Sequence, residues 1–462
     1  MSTTPSPEPP SVPSSARRPD AGRARGAGSS MALVGVLLAS GFVVTTCGRD
    51  KPTPSTPSTS TSAPAPSAPT ASAAPAPSET ASASASASTS APTPKGPLDN
   101  LKAALTGLEK KTLSRHVRIA WLGDSHGQAD FWTGALRDRL TARFGKAGPG
   151  FVHLGYKQYR HDGVKLKHDG SWGSRPKNPA TSIATDDGIF GLGGATFHSK
   201  GGGRTEVSVT DATLGPLSWD LCYRTRDARD ALELKLDPGA GSAQKATKQV
   251  VKRPASPPAT GLVHLTLATD GASPKLGVTP VGGAPELCGV VIETPADKRP
   301  GVVLDNLAFN GARVTTALAW NAEAWEAELS RRSPDLVVMQ YGTNEASDYG
   351  GKAKTYAKTV TDLVARIRKA APRAECLVVG PTDRADRPET IPTVRDGLRD
   401  GAAEAGCVFW DTYEKMGGKG SITEWARAPE PRAAKDGVHL TPRGYRELGE
   451  RLASDLLKGM GL

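Results

Sequence analysis

Apolar positions in the last third of the chain alternate between two periods. Short unbroken runs, from Val302 to Phe309 and at Leu336-Val337-Val338-Met339, Cys376-Leu377-Val378-Val379 and Cys407-Val408-Phe409-Trp410, read as buried strands. Between them, apolar residues fall three and four apart: Leu318, Trp325 and Leu329 within Thr316 to Arg331, and Val360, Leu363, Val364 and Ile367 within Ala353 to Ala370. These spacings predict helices, and strands alternating with helices of this length predict a parallel sheet with helices on both faces. An earlier run belongs to the same pattern. Ile119-Ala120-Trp121-Leu122 stops abruptly on Gly123-Asp124-Ser125, after which Phe131, Trp132, Ala135, Leu136 and Leu140 recur at helical spacing. The run delivers a serine to the carboxyl end of a buried strand, the edge at which open α/β sheets bind ligands.

Between residues 148 and 300 the helical period disappears. Alternating or β-branched runs such as Thr205 to Val209, Ala231 to Leu236 and Leu262 to Leu267 are separated by Gly, Pro and Asp. That pattern predicts an antiparallel β-sandwich, inserted into an α/β domain formed by residues 98–147 and 301–462. Inside it, His161-Asp162-Gly163 and His168-Asp169-Gly170 repeat at seven residues and read as two turns of a hairpin. The histidines His153, His161, His168 and His198 lack the cysteine or third close histidine of a zinc site, so no metal is expected. The glycines from Gly191 to Gly203 have no Lys-Ser/Thr at phosphate-loop spacing. Tyr156, Tyr159 and Trp172 are candidates to stack on sugar rings if exposed.

Composition sets the first hundred residues apart. Met31 to Val44 is uncharged and largely apolar, is preceded by Arg17, Arg18, Arg23 and Arg25, and is too short to span a bilayer comfortably. It suits an export signal over 1–47. Val44-Thr45-Thr46-Cys47 resembles a bacterial lipobox, which makes Cys47 a lipidation candidate, with an uncleaved signal anchor as the alternative. Residues 48–97 are almost wholly Pro, Ser, Thr and Ala, the composition of a disordered tether. A membrane-anchored lipoprotein of the cell envelope, periplasmic or at the cell surface, is the expected setting. Export permits disulfides. Cys222 and Cys288 share the middle region, while Cys376 and Cys407 open apolar runs that neighbouring strands would bring together. The expected pairs are 222 with 288 and 376 with 407, although four cysteines allow three pairings and free thiols. The formal charge is +11, yet bases and acids are interspersed without a basic run, which argues against nucleic acid as a partner.

Ser125 is inert without a base, an orienting acid and oxyanion donors. His439 lies on a loop before the last helix, for which Thr441 is a plausible N-cap and Pro442 the first residue. Asp436, three residues earlier, is placed to hold the far ring nitrogen of His439. The amides of Ser125 and Gly311 and the side chain of Asn344, each at a strand's carboxyl end, are the oxyanion candidates.

Taken in order, Gly123-Asp124-Ser125, Asn310-Gly311, Gly342-Thr343-Asn344 and Asp436-Gly437-Val438-His439 resemble the four sequence blocks of the SGNH, or GDSL, hydrolases. The resemblance implies a flavodoxin-like three-layer α/β/α fold and a Ser-His-Asp esterase mechanism without metal or organic cofactor. It assigns Ser125 as nucleophile and first oxyanion donor, Gly311 and Asn344 as the rest of the hole, His439 as base and Asp436 as its acid. His126 stands where many members have Leu or Thr, and Glu345 where Asp is usual; both are expected to shape the substrate pocket. With an inserted β-sandwich and an export signal, the architecture resembles peptidoglycan O-acetylesterases. That implies an O-acylated envelope polysaccharide as substrate. Two alternatives stay open: a lipase, thioesterase or acetyltransferase of the same fold, and a catalytically silent polysaccharide-binding lipoprotein.

Overall fold

The computed structural model describes residues 96–178, 186–348 and 353–462. The expected export signal, Cys47 and the tether as far as residue 95 lie outside them. The chain begins with α1 (Asp99–Glu109), β1 (Val117–Gly123), the single-turn α2 (Ser125–Gln128) and α3 (Phe131–Phe144). Nine strands follow: β2 (Gly150–Val152), β3 (Val164–Arg175), β4 (Thr196–Val209), β5 (Leu217–Arg224), β6 (Ala231–Asp237), β7 (Thr247–Lys252), β8 (Leu262–Thr269), β9 (Lys275–Gly282) and β10 (Glu286–Glu293). The α/β pattern then returns with β11 (Val302–Asn306), α4 (Val314–Leu318), α5 (Ala322–Arg332), β12 (Leu336–Gln340), α6 (Ala353–Ala370) and β13 (Glu375–Val379). It ends with α7 (Thr390–Glu404), β14 (Val408–Trp410), α8 (Thr412–Met416), α9 (Ser421–Arg427) and α10 (Pro442–Gly459). No helix among the described residues is long and apolar enough to cross a membrane.

Strands β11-β1-β12-β13-β14 form one parallel sheet in that order. Counted along the chain this is the order 2-1-3-4-5 of doubly wound folds. Alternate residues of each strand enter opposite cores. Ile119, Trp121, Val338 and Leu377 pack with α1, α3 and α10, through residues such as Leu105, Leu136 and Leu452. Ala120, Leu122, Met339 and Val378 pack with α5, α6 and α7, through residues such as Leu329, Leu363 and Val394. The helix expected over Thr316 to Arg331 is two helices, because Asn321 accepts a bond from the Ala324 amide and restarts the chain as a new N-cap.

The insert is antiparallel and hydrogen-bonded into one nine-stranded sheet. The long strand β4 makes this continuity: Phe197 and His198 pair with β10, while Thr205 to Ser208 pair with β9. His168-Asp169-Gly170, expected as a turn, lies within β3 at a bulge beside Ser171, where the pairing with β4 shifts register. The cysteines pair as 222 with 288 and 376 with 407. Insert and α/β sheet share an apolar core and a buried ion cluster. Arg332 of α5 bonds Asp305 of β11 at 2.6 and 2.9 Å and Glu293 of β10 at 2.7 Å. Arg118 of β1 grips the same Glu293 through two 3.0 Å bonds, and Asp305 also accepts the amide of Phe151 in β2.

Candidate active site

Ser125 opens α2 directly after β1, with Asp124 as the N-cap whose carboxylate accepts the His126 amide at 2.9 Å. The turn is anchored from below. Asn306, at the end of β11, donates to the carbonyl of Gly127 at 3.0 Å, and Asp130 just beyond α2 is fully buried against Arg137. Burial alone would raise the Asp130 carboxyl, but Arg137, His161 and Thr133 outweigh it and hold it far below the usual range.

Ser125 Oγ lies 2.9 Å from His439 Nε2, and His439 Nδ1 lies 2.8 Å from Asp436 Oδ2. The other Asp436 oxygen accepts the amides of Val438 and His439, each at 2.9 Å. Burial pushes the Asp436 carboxyl up, while these two amides and the His439 ring outweigh it and keep it below the ordinary value. The loop is fixed by Gly437, whose φ of +70° favours glycine and whose added Cβ would come within 2.8 Å of Ala385 Cβ. The Gly437 carbonyl accepts the Ala385 amide at 2.9 Å, which ties the loop to the segment after β13. Thr441 caps α10 and Pro442 opens it. The side chains of His439 and Asp436 are 42% and 50% exposed, so the site lies open on the surface.

The oxyanion candidates meet beside the serine strand. Gly311 has a φ of +79°, a conformation natural to glycine, on the loop between β11 and α4. Asn344 opens the 3-10 turn Glu345–Ser347 after β12 and donates one Nδ2 hydrogen to the carbonyl of Ala312 at 3.0 Å. That bond orients the amide and leaves its second hydrogen for a ligand. Two further side chains, Arg313 and Glu345, lock these two loops together, and Arg384, from the segment after β13, braces the Asn344 loop. The Arg313 guanidinium lies 3.3 Å from both the Gly311 and Asn344 carbonyls and pairs with Asp348. The Glu345 carboxyl accepts the amides of Val314 at 2.8 Å and Gly342 at 2.9 Å. Arg384 donates to the carbonyl of Thr343 at 2.5 Å and to the Ser347 hydroxyl at 2.9 Å.

Two expected substrate contacts are therefore corrected. Glu345 is 3% exposed and spends both oxygens on backbone amides; burial is the main cause that raises its carboxyl to about 7. His126 is wholly buried, with Nδ1 3.0 Å from the Tyr445 hydroxyl and Nε2 3.4 Å from Thr382 Oγ1. Burial, followed by the charge of His439, lowers its pKa to about 3, so its ring stays neutral beneath His439, with ring centroids 5.3 Å apart. Tyr156 and Tyr159 are also buried: Tyr156 stacks on Phe197, and its hydroxyl donates to Gln128, whose Oε1 accepts the Asn310 amide at 2.9 Å. Trp172 is partly buried and donates to the carbonyl of Asp169. Sequence reasoning missed Arg313 and Arg384, since their roles depend on which loops stand side by side.

Residues 269–447 match the sequence model of the GDSL-like lipase/acylhydrolase family. Ser125 falls before the matched span because the insert separates its strand from the remaining blocks. Among solved structures, a peptidoglycan O-acetylesterase is 26% identical, with a TM-score of 0.63, and the match covers 78% of this chain and 96% of that one. A lipase/acylhydrolase from Enterococcus faecalis is 19% identical over 34% of this chain and 77% of its own, with a TM-score of 0.27. A family two carbohydrate esterase from Clostridium thermocellum is 10% identical over 64% of this chain and 99% of its own, with a TM-score of 0.28. A search of curated protein sequences returns no significant match. With its parallel sheet, its extra antiparallel sheet and the matched span, the chain has the SGNH hydrolase fold, carries a GDSL-like lipase/acylhydrolase domain and is a carboxylic ester hydrolase.

Proposed function

We propose that the protein is an exported esterase that removes O-acetyl groups from peptidoglycan or another envelope polysaccharide through Ser125, His439 and Asp436. The observation that carries this reading is the hydrogen-bonded chain Ser125–His439–Asp436 on a half-exposed rim, which a bulky polymer can reach. The likeness to the peptidoglycan O-acetylesterase supports the substrate class, since it extends over 96% of that enzyme's chain. The apolar run before Cys47 and the tether composition of residues 48–97 support placement in the envelope, anchored through a lipid or an uncleaved signal.

In the proposed reaction Ser125 Oγ attacks the acetyl carbonyl carbon while its proton passes to His439 Nε2. Asp436 holds the Nδ1–H tautomer and stabilises the imidazolium. The negative charge on the former carbonyl oxygen is met by the amides of Ser125 and Gly311 and the second Nδ2 hydrogen of Asn344. Collapse breaks the bond to the sugar oxygen, which takes the proton from His439 and leaves as the free hydroxyl. Water, deprotonated by His439, then cleaves acetyl-Ser125 and releases acetate.

The test is release of acetate from O-acetylated peptidoglycan, and of p-nitrophenol from two-, four- and eight-carbon esters, by the full chain and by Ser125→Ala. The reading expects preference for the two-carbon ester, acetate from the polymer, and loss of at least ~10³-fold in turnover for the variant. Preference for the eight-carbon ester would overturn the acetylesterase reading, and an active Ser125→Ala would overturn the nucleophile.

A further inference from the structure

The insert carries a second surface with the features of a binding site. Strands β7, β6, β9, β4 and β3 lie side by side in that order. Leu234, Leu276, Val278 and Val207 are buried on one face, so the alternate positions point outward. The register sets Lys248, Lys235, Gly277, Glu206 and Lys167 in one row across the five strands. Lys165 and Lys275 stand in the row on one side, and Arg204 in the row on the other. These three bases are exposed and form no ion pair among the described residues, whereas Lys248 and Lys235 share Glu233 at 2.9 and 3.7 Å and Lys167 pairs with Asp169 at 3.3 Å.

Gly277 interrupts the row at its middle. A glycine inside a strand weakens it, and such glycines often mark a close approach by a ligand or another backbone. Nothing in the fold demands one here. Its φ lies outside the left-handed region, and an added Cβ would meet only Lys235, at an ordinary 3.6 Å from its Cβ. The missing side chain opens a trough of about 460 Å³ with Arg204, Lys235, Lys248 and Lys275 around it, Glu206 and Asp237 as its acids, and no aromatic ring. That size fits one or two sugar residues. A base-lined, ring-free trough recognises charge in place of a stacked neutral ring.

We propose that this trough docks a carboxylate-bearing glycan strand and retains the enzyme on an acidic polysaccharide. The proposal rests on the glycan reading of the active site and narrows its substrate to an acidic polymer. Full-length protein with Ser125→Ala is titrated with glycan strands freed of their peptides by an amidase, which exposes lactyl carboxylates, and with the same strands after the carboxylates are converted to amides. Gly277→Gln, which fills the trough, and Lys235→Glu with Lys275→Glu are each expected to weaken binding at least about tenfold, as is amidation of the strands. Binding should also fall with salt. With Ser125 restored, the same variants should hydrolyse p-nitrophenyl acetate at the unaltered rate and keep the parent Tm. Unchanged affinity in correctly folded variants, or equal binding of amidated strands, overturns the proposal. Loss of binding in the variants of a protein that releases no acetate from the polymer would leave the trough standing and remove only the esterase reading.

Discussion

In the proposed reaction Asn344 and Arg313 serve the same oxyanion from different distances, and their variants should separate accordingly. Asn344→Ala removes a donor that strengthens only as negative charge develops, so kcat for p-nitrophenyl acetate should fall ~10²- to 10³-fold with KM little changed. Arg313 does not point at the reacting oxygen; it bridges the carbonyls of Gly311 and Asn344, 3.3 Å from each. Arg313→Ala should let the two loops drift and cost roughly tenfold in kcat, with partial rescue by Arg313→Lys. A loss as large as that of Asn344→Ala would mean that the guanidinium contacts substrate directly. Asp436→Asn should be the more severe defect, about 10²- to 10⁴-fold, because an amide can stabilise the wrong His439 tautomer. The residues that carry these effects differ in how visible they are in sequence. Ser125, Asn344, Asp436 and His439 stand out because each follows a strand or precedes a well-capped helix. Arg313 and Arg384 do not, and Glu345 stood out with a different role, because a positioning role depends on which backbone amides and carbonyls a side chain meets across loops. His126 misled for the same reason: its place beside the nucleophile suggested a pocket, but its neighbours Tyr445 and Thr382 come from distant segments and bury it.

At the scale of elements, the strands and helices of the parallel sheet were legible because each apolar run has one period and ends on a turn residue. The insert was legible only as antiparallel. Its continuity depends on β4 changing partner partway along its length, and an alternating pattern looks the same on both sides of that change. The break between α4 and α5 was hidden because Asn321 interrupts a helical spacing without altering its period. Attachment of the insert to the sheet was not visible either, since it rests on charged residues from separate segments, such as Arg118 and Glu293, which stand 175 positions apart. Arg332 is the centre of that attachment, with 7% of its side chain exposed and both Asp305 and Glu293 bonded to it. Removing one member of a buried charge cluster leaves the others unpaired, so Arg332→Ala should cost about 3–5 kcal/mol in urea unfolding. Arg332→Lys should recover only part of the loss, because an ammonium cannot reproduce the paired guanidinium bonds to Asp305. A change below ~1 kcal/mol would show that the shared apolar core alone fastens the insert.

For the molecule as a whole, His264 makes the same attachment sensitive to alkaline pH. It lies on β8 of the insert, with Nε2 2.9 Å from Glu328 of α5 and Nδ1 3.4 Å from Asp220 of β5, which Arg331 of α5 also pairs with. Burial opposes charge on the ring, but bonds to Asp220 and Glu328 outweigh it and raise the pKa to about 9. A histidine raised from 6.5 in the unfolded chain contributes its full stabilisation below pH 6.5 and loses it as pH climbs through about 9. With 21% of the side chain exposed, the shift corresponds to a loss on the order of 2–3 kcal/mol across that interval. Two buried carboxyls also respond to rising pH, Asp124 raised to about 6 and Glu345 to about 7, but their contributions are largely gone before the middle of the His264 interval. Thermal unfolding followed from pH 6.5 to 10 should therefore show a falling Tm, and His264→Gln should flatten the decline while lowering Tm at pH 6.5. Equal slopes for the two proteins would place the alkaline loss elsewhere and leave His264 uncharged in the fold. If esterase turnover on a small ester holds steady over the same interval while Tm falls, the loosening lies at the junction of insert and sheet, away from the loops that hold Ser125 and His439.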